Sequence, residues 1–189
     1  MRTFVLSLLL AFTTSQADVR VEVDRRNPKQ PVLNAYISEQ ILPGDYAVLR
    51  AALNAYPGRF SQKVAWLDNI GGVSAEAMRI GRLFNELGFN TAVAEQALCQ
   101  GSCVYVLAAG RKREVKGAVA VHRPAHAKGE SFAAKQASMP EADVRYFAYM
   151  GVSSDLAGLI GKTPFERPYL LTQAELVHFR LQLPRLAKP

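Results

Sequence analysis

Short apolar runs alternate with amphipathic stretches along most of this chain, and nearly every boundary carries a glycine, a proline or a helix-capping residue. Val19 to Val23 and Val32 to Ile41 read as strands. Pro43-Gly44-Asp45 stops the second strand and offers Asp45 as the N-cap of a helix over Tyr46 to Tyr56, which Pro57-Gly58 ends. Lys63 to Leu67 reads as a short strand and Asp68-Asn69-Ile70-Gly71-Gly72 as a turn. Ser74 caps the helix that follows, where Ala77, Ile80, Gly81, Phe84 and Leu87 share one face before Gly88 terminates it. Phe89 to Ala94 returns as a strand, Cys99 to Ser102 as a second turn, Cys103 to Ala109 as a short apolar helix closed by Gly110, and Val115 to His122 as a further strand. Arg123 to Ser138 is polar and without period, as in a surface loop or lid. Ser138 with Glu141, and Thr172 with Glu175, form capping-box pairs for two last helices, the second limited by Pro184. Strand and helix in this order imply right-handed βαβ units, hence an α/β fold on a mostly parallel sheet. A chain of 189 residues, 49% hydrophobic and 21% charged, fits one such domain.

The first residues are set apart from that domain. Arg2 gives a positive start, Phe4 to Phe12 an apolar stretch broken only by Ser7, and Ser15-Gln16-Ala17 the small residues a signal peptidase reads. Residues 1–17 are expected to be a signal peptide cleaved after Ala17, leaving residues 18–189 as a single periplasmic or secreted domain. No apolar run approaches the roughly 20 residues of a membrane-spanning helix, so no transmembrane segment is expected after cleavage.

The formal charge of +7 raises nucleic acid as a partner. Arg111, Lys112, Arg113, Lys116, Arg123 and Lys128 concentrate much of it, with Glu114 the one acid in that stretch. No zinc-finger spacing, aromatic RNA-binding motif or helix-turn-helix pattern accompanies them, so the basic run reads as a solvated surface and nucleic acid is not expected. Cys99 and Cys103 stand four apart, a spacing that on one helical turn falls within disulfide range, and an exported chain meets oxidising conditions. No histidine or further cysteine completes a metal set around them, and neither metal nor cofactor is expected.

Two glycine turns each lie between a strand and a helix start: Gly71-Gly72 before the Ser74 helix, and Gly101-Ser102 before the Cys103 helix. Backbone N–H groups at such junctions are free to hold an anion or a developing oxyanion. His122, at the end of the following strand, can face the same cavity. Together with Ala77-Met78-Arg79-Ile80, Leu107-Ala108-Ala109-Gly110 and Val121-His122-Arg123-Pro124, these turns resemble the Clp protease proteolytic subunit and its crotonase-like superfamily. The leader, Pro43-Gly44-Asp45 and the paired cysteines resemble that superfamily's periplasmic branch.

The resemblance, over roughly Val32 to Leu181, implies a repeated ββα spiral fold. It further implies an oxyanion hole from the amides of Gly71 or Gly72 and of Ser102, His122 as general base, and a tendency to form homo-oligomers around a peptide or acyl-type ligand. It also exposes two departures. Anchoring on both cysteines puts Gly101 where the nucleophilic serine belongs, and Pro164 falls at the triad carboxylate, with Glu166 the nearest acid and Asp155 and Asp143 further off. Two readings follow: a binding or scaffold protein that keeps the cleft without a nucleophile, or a serine peptidase or esterase-type hydrolase in which Ser102 attacks, His122 takes its proton and Glu166 or Asp155 orients the imidazole. Each residue also has a plainer role, Ser102 as a helix cap and the glycines as turns. Acyl-thioester chemistry and attack by Cys103 are lesser alternatives.

Overall fold

The computed structural model of the chain describes residues 18–124 and 139–182. The leader, His126, Lys128, Ser138, Pro184 and most of the expected loop or lid lie outside them.

The elements follow one another as β1 (Asp18–Asp24), β2 (Val32–Ile41), α1 (Asp45–Asn54), β3 (Gln62–Gly72), α2 (Ser74–Leu87), β4 (Asn90–Val93), β5 (Leu98–Gln100), α3 (Cys103–Ala108), β6 (Arg113–Val115), β7 (Ala118–Val121), α4 (Glu141–Tyr149), α5 (Ser154–Lys162), β8 (Tyr169–Leu170) and α6 (Gln173–His178). The sheet is mostly parallel, as the alternating order requires; only β1 with β2 and β7 with β8 run antiparallel. β3 is its hub. Val64 to Trp66 pair with β4, which continues to β6, while Asn69 pairs with Cys99 of β5, which continues to β7 and β8. The sheet therefore forks along β3, and the second branch carries the elements that build the cavity described below.

This fork corrects the short strand expected at Lys63 to Leu67. Strand β3 runs on through Asp68-Asn69-Ile70-Gly71-Gly72, which reads locally as a turn but gains pairing partners from β2 on one side and β5 on the other. A slip in register between Glu39 and Ile41 absorbs the irregularity. The turn expected at Cys99 to Ser102 shrinks to Gly101-Ser102 for the same reason, since Leu98 to Gln100 pair with β7. Conversely, the strand expected over Val115 to His122 is two short ones, because the chain changes partner from β4 at Val115 to β5 at Ala118, and Gly117 between them lies against the carbonyls of Ala94 and Ala97 with no room for a Cβ.

The caps differ too. Asp45 is the first residue of α1, not its cap; its carboxylate accepts from Leu42 N–H at 2.6 Å, and the flanking Gly44 takes the left-handed conformation at φ 104°. The start of α1 is held instead from α2, where Glu76 Oε1 accepts from the N–H groups of Gly44 and Tyr46 at 3.0 and 2.9 Å. Ser74 is likewise the first residue of α2 and Val73 its cap. The Thr172–Glu175 box forms as expected.

The core joins buried residues of the sheet to the inner faces of its helices. Ala77, Ile80, Gly81 and Phe84 form the buried face of α2, which packs against α3, and all six residues of α3 are buried. Gly81 has a specific use: a Cβ there would fall on the Tyr146 hydroxyl, which donates to the Tyr105 carbonyl at 2.8 Å. Trp66 is only half-buried, and its indole N–H donates to Asn34. Arg113 departs from the solvated surface read from the basic run: its guanidinium donates to the carbonyls of Gly110, Met150 and Arg180, and burial pulls its pKa below the ordinary value. No helix among the described residues is long and apolar enough to cross a membrane.

Candidate functional site

Three chain segments converge at the C-terminal ends of the second sheet branch, the place where parallel strands leave a crevice. The end of β3 supplies Gly71 and Gly72, the link from β5 to α3 supplies Gly101 and Ser102, and the end of β7 supplies His122. They enclose a cavity of about 480 Å³ whose wall includes Gly72, Gly101, Ser102, Tyr105, His122 and Phe165, a size suited to a small ligand or peptide segment.

Gly101 sits at φ 57°, a left-handed conformation between a strand end and a helix start that side-chain-bearing residues adopt at a cost. His122 stands directly over it. A Cβ built on Gly101 would come within 2.7 Å of His122 Nε2 and 3.0 Å of Cε1. The ring is fixed from two sides: Nδ1 lies 2.8 Å from the Arg123 carbonyl, and Phe165 meets the imidazole edge-on at 4.8 Å. A carbonyl can only accept, so Nδ1 carries the hydrogen, and in the neutral ring Nε2 is the acceptor. That is the tautomer a general base uses, set here by a backbone carbonyl rather than a carboxylate.

The two glycine amides are not equivalent. Gly71 N–H donates to Asn69 Oδ1 at 3.1 Å and is spent. Val73 N–H donates to the Ile41 carbonyl and Leu42 N–H to Asp45, so the bridge between Ile41 and Gly72 runs through Ile41 and skips the N–H of Gly72. Gly71 and Ser102 are also in close register: a Cβ on Gly71 would lie 2.7 Å from Ser102 N and 3.2 Å from Ser102 Oγ. Ser102 is buried, and its Oγ has no hydrogen-bond partner among the described residues. It makes no side-chain cap for α3 and no bond to His122.

The acids considered for a triad stand elsewhere. Glu166 is exposed and outside the cavity wall, Asp155 bonds His178 at 3.2 Å, and Asp143 accepts from the Tyr105 hydroxyl. Pro164 follows Thr163, whose carbonyl accepts from Arg123 N–H. Burial first, and then the Asp143 bond, push the Tyr105 phenol above its ordinary range, so it stays neutral. The sequence patterns gave no sign of Tyr105 or Phe165 in the site; only the convergence of α3 with the segment before β8 brings them there.

Cys99 and Cys103 are disulfide-bonded with Cα atoms 5.3 Å apart. The bond spans the end of β5 and the first residue of α3, not one helical turn, and so brackets Gly101-Ser102.

No protein-family model matches the chain, and no curated protein matches it in sequence. Solved structures do. A mutant of the 1510-N membrane-bound stomatin-specific protease superposes with a TM-score of 0.52 at 14% identity, over 80% of this chain and 76% of its own. The ClpP protease catalytic domain from Plasmodium falciparum gives 0.55 at 16%, over 82% and 85%. This chain has a ClpP-like fold. A further structure, of a peptidase from Plasmodium falciparum, agrees, at 0.56 and 14% over 82% and 96%. At these identities the likeness concerns architecture alone, and what the ClpP-like cleft does here rests on its own residues.

Proposed function

We propose that the protein is an exported ClpP-like protein that binds a peptide or acyl-type ligand in this cleft without hydrolysing it. The observation that carries the reading is the contact between Gly101 and His122. The strand-to-helix elbow that would present a nucleophile holds a glycine, and the imidazole stands so close above it that a side chain at 101 displaces the ring. Backbone donors from Gly72 and Ser102 remain to hold a carbonyl oxygen. Export is supported by the leader pattern and by the buried disulfide, which persists in oxidising compartments. Assembly into a homo-oligomer belongs to the same proposal, by analogy with the superfamily.

The orphan hydroxyl of Ser102 favours a second reading, in which a rotation of the turn brings Oγ to His122 Nε2 for attack on a carbonyl. Against it, the Nδ1 side of the ring already faces the Arg123 carbonyl where an orienting acid would stand. Incubating the purified protein with a mixed peptide pool and reading the products by mass spectrometry separates the two. The binding reading expects no new termini; cleavage that disappears in Ser102→Ala and His122→Ala establishes the hydrolase.

A further inference from the structure

We propose that the ligand of this cavity is a carboxylate carried on an apolar chain. The inference rests on the non-hydrolysing reading above and names the ligand class of the same cleft.

Among the described residues the wall of the cavity holds no acidic side chain, and its titratable members there are His122 and Tyr105. Tyr105 is committed as a donor to Asp143 and stays neutral. Gln40, Ser74 and Gln100 add neutral groups that can donate or accept, and the two glycine turns add donors. Among the described residues no acceptor takes the Ser102 N–H, the bridge to Ile41 does not use the Gly72 N–H, and Ser102 Oγ, shielded from solvent, lacks any partner. A buried hydroxyl without a partner carries a desolvation cost that a ligand oxygen relieves.

The imidazole completes the case. Its Nδ1–H is held on the Arg123 carbonyl, so a proton brought in with a carboxylic acid goes to Nε2, beside Gly101, and makes that atom a charged donor to the carboxylate left behind. No other bond changes. Gly101 and Phe165 lie against the ring and Tyr105 shares the cavity wall, and none of them offers a negative charge that would compete with a ligand for it. One carboxylate oxygen can thus meet the Gly72 and Ser102 amides while the other meets His122. A neutral amide satisfies the first set and gains little from the second. Ile70, 56% exposed, and Phe165, 46% exposed, form an apolar rim with Val73, which suits an apolar chain behind the carboxylate.

The test is calorimetric titration of the whole protein with three probes: an N-acetylated trileucine acid, the same tripeptide as its C-terminal amide, and hexanoate. The acid should bind about tenfold or more tightly than the amide, the difference expected for a hydrogen bond to a charged group, and Ser102→Ala should weaken it. Tight binding of the tripeptide acid alone identifies a peptide C-terminus as the source; equal binding of hexanoate identifies a free acyl acid. Acid and amide binding equally, or neither binding, overturns the carboxylate proposal while leaving the non-hydrolysing reading in place. Cleaved tripeptide in the recovered samples overturns that reading, and the proposal with it.

Discussion

His122 Nε2 lies over the Cα of Gly101 so closely that a Cβ on that residue would stand 2.7 Å from it, nearer than real Cβ atoms approach. The pair sits at the crossing of β5, β7 and α3, where a ClpP-like elbow opens into its cleft. It follows that Gly101→Ala or Gly101→Ser costs stability twice, once for the left-handed backbone and once for displacing a ring held by Arg123 and Phe165. We expect a loss of about 2 kcal/mol in denaturant unfolding. A variant as stable as the parent would show that the ring yields freely and that the contact does not shape the site.

Glu76 predicts a different kind of loss. Its buried carboxylate is the acceptor for two N–H groups at the start of α1. Glu76→Ala strands both donors and is expected to cost about 3 kcal/mol. Glu76→Gln keeps an oxygen in place and should cost less than half of that. Equal losses in the two variants would indicate that the charge, not the acceptor, is what matters.

Asp45 gives a pH dependence. Burial, the larger effect, and the nearby Glu76 carboxylate raise its pKa, although the Leu42 N–H opposes them. The folded chain therefore binds this proton more tightly than the unfolded chain. The resulting stability is full below the ordinary aspartate range and is lost as pH rises through the raised value. Asp45→Asn retains an acceptor for Leu42 and carries no charge. It should match the parent at about pH 3 and exceed it at about pH 7 in urea unfolding. A difference that does not change with pH contradicts this.

How far the sequence foretold all this depends on whether the cause was local. The bounds of β2, the stop at Gly88 and the Thr172 capping box were legible because alternation, a left-handed glycine and a reciprocal cap are written within a few residues. The extension of β3 to Gly72 and the existence of β5 were not, since Asp68-Asn69-Ile70-Gly71-Gly72 becomes strand only through β2 and β5. Helix α5 carries two glycines among its nine residues and β8 is a two-residue partner of β7, so neither announced itself. In the site, Gly71, Gly72, Gly101, Ser102 and His122 do converge, whereas Glu166 stays at the surface and the Arg123 carbonyl stands where an acid was sought.

The disulfide brackets the same elbow. In the chain-entropy view a bridge closing so short a loop contributes about 2 kcal/mol. Replacing Cys99 and Cys103 together by alanine should lower stability by that amount and weaken ligand binding, since Gly101-Ser102 loses its clamp. Unaltered binding in the double variant would place the clamp outside the function of the cleft.

The central claim is that the cleft binds without attacking, and labelling of the purified protein with a fluorophosphonate probe tests it without knowledge of the ligand. Folded protein that stays unlabelled, alongside Ser102→Ala and His122→Ala behaving identically, is the predicted result. Labelling that both substitutions abolish would contradict it and establish Ser102 as an activated nucleophile.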